Sequence, residues 1–507
     1  MAQGALPFHY EADTSGDAAT GFAGLGVYLD LIKTTGVAEA VGRHVRAAGE
    51  QGWLDQQMVV AGLLLNLAGA DCIDDLDRLE QDRGLGRLVR AAEKGLLTRA
   101  ERQQLKWRMR RGRERALPSP TAFADWLARF HAAGEETKRE AGKAFVPASS
   151  ATLQGLRRVD RELIGFLDKH RPERTATIDG DATLVATNKR QALYCYKKFK
   201  AYQPLNMWWA EHGVILHSEF RDGNVPAGMD KLRVFREALA QLPAGVEKTF
   251  LRTDTAGYDQ QLLLYCGEGK DERFGVIEFA IGADVTAAFK AAVRAVPASD
   301  WKRLDRIVDG KPQDTGQQWA EVAYVPNWAG SSRKRADYRF LAIREPLEEL
   351  ELGDAEQLPF PTEVFGASGR HKLFAVVTNR TLPGDEVIRW HRERCGKSEE
   401  AHAVMKEDLA GGQLPSGLFG VNAAWWAIMV LAHNLNAVMK RLVLGPAWVA
   451  KRMKALRFAL INLPARVLHH ARRLIVRLPA GSAGLDLIGR ARAAIVGLQA
   501  PVAAPSG

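Results

Sequence analysis

At 507 residues the chain is long enough for two to four domains, and at 46% hydrophobic and 26% charged it has the make-up of a protein that buries sizeable cores. Lysine and arginine outnumber the acids 70 to 60, for a net charge of +10, which favours a polyanionic partner. Four scattered cysteines (Cys72, Cys195, Cys266, Cys395) form no C-x-x-C pair and exclude a disulfide framework; they fit free thiols in a reducing cytosol.

The opening Met1–Gly16 is polar and acidic, unlike a secretory leader. Residues 20–140 read as helical. L-D-Q-Q-M-V-V-A-G-L-L-L-N-L-A-G (54–69) is apolar around much of its circumference, as a helix buried among others would be. D-C-I-D-D-L-D-R-L-E-Q-D (71–82) begins with acids suited to a helix N-terminus. The densest basic run, T-R-A-E-R-Q-Q-L-K-W-R-M-R-R-G-R-E-R (98–115), holds Arg108, Arg110 and Arg111. A short helix follows at 119–130, with Ser119 as N-cap and Pro120 at the first helical position. Small helices around a basic segment suit a helix-turn-helix-like DNA reader, and a solvated surface helix has the same composition.

Near residue 173 the pattern turns to β. In T-I-D-G-D-A-T-L-V (177–185) two aspartates interrupt an aliphatic strand. Alternation puts Asp179 and Asp181 on one face, roughly 7 Å apart along the strand, where burial makes charge costly. Gly180 between them is a candidate bulge that would redirect Asp179. Segments 204–212 and 213–221 read as tightly joined strands, 229–242 as a helix, and 248–254 as a strand ending on Asp254. A helix at 257–266 and a strand at 274–281 complete a mixed sheet flanked by helices.

Residues 283–370 are polar and β-leaning and carry Trp301, Trp319 and Trp328, the texture of an insertion. A strand at 370–379 and helices at 384–394 and 398–409 follow. Glu399 and Glu400 open the last of these, where the helix dipole also favours acids. Glu399, His402 and Lys406 are spaced to share one face. The apolar 423–439 stretch contains His433, Asn434 and Asn436 and is shorter than a membrane span, so it reads as a core helix. The tail beyond 445 is basic again. Phosphate-loop, zinc and G-x-S-x-G spacings are absent from the sequence.

Two strand aspartates and a helix glutamate can hold two divalent cations roughly 4 Å apart for in-line attack on a phosphodiester. Oxygen-only ligands suit Mg²⁺, with Mn²⁺ as substitute. D-G-D-A-T (179–183), L-R-T-D (251–254), R-C-G-K-S-E-E-A-H-A-V-M-K-E-D-L-A-G-G (394–412), F-G-V-N-A-A-W-W (419–426) and L-A-H-N-L (431–435) carry a resemblance. Over residues 20–480 the chain resembles DDE-type transposases of bacterial insertion sequences, closest to the group numbered thirteen-eighty.

That resemblance implies an α/β fold: a ribonuclease-H-like mixed sheet core with a β-rich insertion, preceded by an all-α N-terminal domain. The expected organisation is 1–140 DNA-binding helices, 141–172 helical linker, 173–282 and 371–445 catalytic core, 283–370 insertion and 446–507 basic C-terminal segment. The family pattern selects Asp181 over Asp179, and Asp254 after the fourth core strand. It selects Glu399 over Glu400 because Lys406 lies seven residues on. In such enzymes these acids are catalytic metal ligands. Relatives carry Tyr-x-x-Arg-x-x-x-Glu; here Arg394 lies five residues before Glu399, and Trp390 and His391 stand where a tyrosine is expected. Lys406 and Arg394 are then phosphate contacts, and Trp301, Trp319 and Trp328 are candidates to stack on a displaced base. The implied activity is Mg²⁺-dependent cleavage at terminal inverted repeats and joining to target DNA, by a homodimer in the bacterial cytoplasm with no membrane partner. The alternatives are a metal-dependent nuclease on the same fold and a catalytically inactive, domesticated DNA-binding protein.

Overall fold

The computed structural model describes residues 18–109, 113–328, 338–347, 360–366, 369–470 and 473–499. The chain divides into two compact units: Met1–Lys138 with Pro147–Arg171 and Val404–Gly507, and Arg139–Val146 with Pro172–Ala403.

In the first unit, helices Asp55–Ala68 and Phe419–Val438 are buried on nearly every face. Their all-round apolar sequence demands that placement. Gly62 lets them meet closely, since a Cβ there would stand 2.9 Å from the Ile428 side chain. Polar residues within this core are paired: Asn434 Nδ2 donates to both carboxylate oxygens of Asp160 at 2.9 and 3.0 Å, and the Tyr28 hydroxyl donates to Asn436 Oδ1 at 2.9 Å. The apolar helix runs on through a π-helical turn, so Phe419–Leu444 spans 26 residues, longer than its sequence pattern indicates and enough to cross a membrane. Burial of 61% of its most apolar window, and three asparagines within the core, mark it as an interior helix instead. The N-terminal region is not wholly helical: Ala18–Thr20 is a strand paired with Ala465–His470, which pairs in turn with Arg473–Arg477. The Ser119 cap forms as expected, its Oγ accepting from Ala122 N at 3.2 Å.

The second unit is built on a ten-stranded sheet. Its strands are β1 Thr175–Ala182, β2 Leu205–Trp209, β3 Val214–Glu219, β4 Lys248–Thr253, β5 Glu278–Ala283, β6 Lys302–Val308, β7 Lys311–Val322, β8 Arg339–Pro346, β9 Thr362–Val364 and β10 Arg370–Thr378. They lie in the order β6-β7-β8-β10-β5-β4-β1-β2-β3, with β9 also paired to β10. Strands β1, β2 and β3 are antiparallel neighbours, whereas β4 runs parallel to β1 and β5 parallel to β4. Four helices of this unit matter for the site: α1 Lys231–Leu239, α2 Gln260–Gly267, α3 Gly384–Arg392 and α4 Lys397–Ala403.

Residues 283–370 do not stand apart from this sheet. Strands β6, β7 and β8 continue it outward through β10, each antiparallel to the next. One apolar cluster joins Leu304, Trp319, Leu341 and Val376 of these strands to Val387 and Ile388 of α3. Gly384 permits the contact: a Cβ there would fall 2.2 Å from the Trp319 ring.

Candidate active site

Asp179 and Asp181 sit two residues apart on β1 and have different surroundings. Asp179 is buried, and Arg252 of the neighbouring β4 grips it through two charge-assisted bonds, Nε–Oδ1 2.7 Å and Nη2–Oδ2 2.9 Å. Arg252 also donates from Nη1 to Trp390 O at 2.7 Å and to Glu393 Oε2 at 2.9 Å. Asp179 thus ties β1 through β4 to α3, and both its oxygens are occupied.

Asp181 has no such grip. The Arg394 Nη1 and the His402 Nδ1 each stand 4.0 Å from its Oδ2, at the limit of ion pairing. Burial, followed by the negative charge of Asp254, pushes its carboxyl up to about 6.

Asp254 follows the last residue of β4, where the chain leaves the sheet. It caps a short turn, its Oδ1 accepting from Ala256 N at 3.2 Å. Burial would raise its carboxyl, yet Lys231 and Arg394 outweigh burial and hold it below the ordinary carboxylate range.

Lys231 is the residue that sequence reasoning missed. It opens α1 and is buried; its ammonium donates to Thr253 Oγ1 at 2.5 Å and to Asp254 Oδ1 at 3.4 Å. It passes over Gly180, where a Cβ would lie 3.6 Å from Lys231 Cε and 3.1 Å from Met207 Sδ. Gly180 therefore serves as a notch beside which a lysine stem packs, within a continuous β1. Burial drives the Lys231 ammonium downward, opposed by the two aspartates. The sequence signal was a lysine at a helix start, which by itself is unremarkable.

Around this pair the walls are polar and ordered. Asn206 of β2 lies opposite Asp181, its Oδ1 accepting from the Ser218 hydroxyl at 2.6 Å and its Nδ2 lying 3.3 Å from His402 Nε2. The His391 Nε2 lies 3.0 Å from Thr253 O; burial, against the opposing pull of that contact, holds the ring down at about 4. His391 is thus neutral and donates that bond. The Arg394 Nε is buried and has no hydrogen-bond partner among the described residues.

The remaining sequence expectations fall unevenly. Helix α4 meets Asp181 through His402, while Glu399 stands exposed one turn earlier on the same helix face and Glu400 stands exposed beyond that face. The regular helix ends at Ala403, and Lys406 is half-buried in the π-helical turn Val404–Asp408. Arg108 spends its guanidinium on backbone carbonyls, Gly52 at 3.0 Å, Gly49 at 2.5 Å and Trp53 at 3.0 Å. Arg110 and Arg111 lie outside the described residues. Trp301 and Trp319 are buried, the first with Arg344 over its ring at 4.0 Å and the second inside the α3 cluster. Trp328 is half-buried beside Tyr338, with ring centroids 6.0 Å apart.

Two groups of acids invite a metal. His217, Glu219 and Glu237 converge, yet Arg221 and Arg233 bind Glu219 and Arg233 binds Glu237, so that group is already neutralised. Asp181 and Asp254 differ. They present hard oxygen donors, and burial together with the charge of Asp254 holds the Asp181 carboxyl above its ordinary range. A Mg²⁺- or Mn²⁺-sized cation fits that donor set and would relieve the repulsion.

A search of curated proteins finds no match. Among solved structures the chain is similar to a cryo-EM structure described as a piggyBac transposase synaptic complex with hairpin DNA, at 9% identity and a TM-score of 0.40, covering 97% of this chain and 89% of that one. The family model for the transposase DDE domain, group 1, matches residues 9–500, nearly the whole sequence. The chain is a member of that family of DDE transposases.

Proposed function

We propose that this transposase belongs to the insertion-sequence group numbered thirteen-eighty, and that it cuts DNA at terminal inverted repeats and joins the ends to target DNA. The observation that carries this reading is the Asp181–Asp254 pair. One member is raised to about 6 by burial and by the other's charge, and both lie beside the cations Lys231 and Arg394. The strand order β3-β2-β1-β4-β5, with β4 and β5 parallel to β1, supports a ribonuclease-H-like core with Asp254 after its fourth strand.

In this reading Asp181 and Asp254 hold divalent cations, and Glu399 supplies a further carboxylate from α4. Two such cations supply activation of the attacking oxygen and charge neutralisation at the leaving one. Lys231 balances Asp254 from inside the fold and keeps its carboxylate ionised and aimed. Asn206 and His402 hold the wall behind Asp181. Arg394, whose Nε has no hydrogen-bond partner among the described residues, and Lys406 bind phosphate oxygens of the DNA. The basic segment around Arg108, Arg110 and Arg111 contributes affinity for the repeats, Arg108 by shaping the backbone it is bonded to. Pairing two element ends calls for a homodimer or larger assembly, acting in the bacterial cytoplasm.

The test uses DNA flanking the reading frame, purified protein and Mg²⁺, with strand breaks mapped to the nucleotide. Wild type is expected to break strands at the repeat ends only with Mg²⁺ or Mn²⁺. Asp254→Asn should lose roughly a hundredfold or more in rate while still binding the DNA, since a metal's charge stabilisation is worth several kcal/mol. Binding without breaks in either metal would sink the strand-transfer reading and leave a DNA-binding protein.

A further inference from the structure

Between β1 and β2 the chain leaves the large sheet and folds into a small one of its own. Val185–Ala186, Lys200–Tyr202 and Leu193–Tyr194 lie side by side in that order, all antiparallel. Its interior is closed by small or buried groups, Val185, Ala192, Cys195, Ala201 and Tyr202. Its tip is fixed by a tight turn, Lys198 N donating to Cys195 O at 2.9 Å and Cys195 N to Phe199 O at 2.8 Å, with Lys198 held at a φ of +64°. Its root is anchored where Tyr202 stacks on Phe220 with centroids 4.9 Å apart. Gly223 lets the next segment press against it, because a Cβ there would fall 2.4 Å from Ala201 O. This is an ordered finger.

What the finger shows to solvent is unusual. Tyr194 is 64% exposed and Tyr196 72%, with Leu193 and Phe199 exposed beside them. Residues 185–202 hold five cations (Lys189, Arg190, Lys197, Lys198, Lys200) and no carboxylate. Lys197 lies 5.8 Å from the Tyr196 ring centroid and Lys200 6.0 Å from that of Tyr194, so both exposed tyrosine rings have a cation beside them. Exposed rings interleaved with lysines are the chemistry of a surface that stacks on bases and holds the backbone between them. Duplex DNA hides its base faces in the stack; a strand opened at its end presents them. The finger starts at Val185, four residues after Asp181, so roughly 13 Å of chain at most separates its root from the acid pair.

We propose that this finger grips unpaired nucleotides beside the scissile phosphate, Tyr194 and Tyr196 stacking on the bases and the lysines holding the phosphates. The inference rests on the transposase reading and assigns to the finger the stacking role expected of the buried Trp301 and Trp319.

The experiment compares a blunt duplex with the same duplex extended by a few unpaired nucleotides that include 2-aminopurine. Wild type should bind the extended probe about tenfold more tightly than the blunt one and quench the 2-aminopurine. Tyr194→Ala/Tyr196→Ala should lose both effects, with blunt-duplex affinity and thermal unfolding unchanged, and Tyr194→Phe/Tyr196→Phe should restore them. Lys197→Gln/Lys198→Gln should weaken both probes and reduce the slope of log affinity against log salt by roughly two. Quenching and preference that persist in the alanine variant, or that wild type lacks while binding the blunt probe, overturn the finger. A wild type that binds neither probe overturns the function proposed above as well.

Discussion

Asp179 and Asp181 show how one turn of side-chain chemistry separates structure from reactivity. Both face the same side of β1, but Arg252 reaches only the first, and its fork leaves that carboxylate saturated. The second meets the Arg394 guanidinium only at 4.0 Å and carries the repulsion of Asp254. A carboxyl raised from 3.8 to about 6 binds a proton in the folded protein that the unfolded chain has already lost. The contribution of Asp181 to the stability of the metal-free protein therefore falls as pH rises through that window and is gone above about 6. Cations compete with the same proton. Mn²⁺ affinity, followed by titration calorimetry, is expected to rise about tenfold per pH unit up to about 6 and then level off. Affinity that stays flat across the window would show that Asp181 takes no part in binding.

At the scale of elements, α3 is the strut that places the site. Through Arg252 it is joined to β4 and Asp179, through His391 to the end of β4, and beyond its C-terminus the chain delivers Arg394 to Asp181. Its own seat is the apolar cluster with β7 and β8, and Gly384 at its first turn touches the Trp319 ring. Gly384→Ala is expected to push Trp319 from its place and cost about 1–3 kcal/mol. Thermal melts should fall by roughly 2–4 °C per kcal/mol. An unchanged melt would mean that the Trp319 ring yields freely and that the cluster is not what seats α3.

For the whole molecule, the balance of charge gives a test that separates the two aspartates. A ligand that binds only the folded state stabilises it by about 2.7 kcal/mol at a hundred times its Kd. Saturating Mn²⁺ should raise the melting temperature of wild type and leave Asp181→Asn unmoved. Asp179→Asn should lower the melting temperature in metal-free buffer, by the equivalent of about 3–5 kcal/mol for breaking a buried pair, and still show the Mn²⁺ shift. A lost shift in Asp179→Asn with a normal baseline would exchange the roles of the two residues.

Much of this was legible in the chain because local physics dictates it. The segments read as strands around 177, 204–212, 213–221 and 248–254 hold strands at 175–182, 205–209, 214–219 and 248–253, the all-round apolar stretches are buried helices, and an aspartate that ends a strand does reach its edge. The family motifs singled out Asp181 and Asp254, and Arg394 despite its shifted spacing; the structure brings all three together. Other features depend on partners distant in sequence and have no local signature. Arg252, aligned with Asp179 only once β1 and β4 pair, decided which aspartate has both oxygens saturated by a guanidinium fork. Lys231 became part of the site because Gly180 leaves room for its stem. The insertion's Trp319 became core because β6, β7 and β8 extend the same sheet and α3 packs against it. The sequence by itself determined the core strands around the two aspartates and the apolar interior helices, because those are set by neighbours in the chain. Which charges are neutralised, which rings are buried and which are left in solvent was decided only by the tertiary structure, because burial and charge pairing are set by neighbours in space.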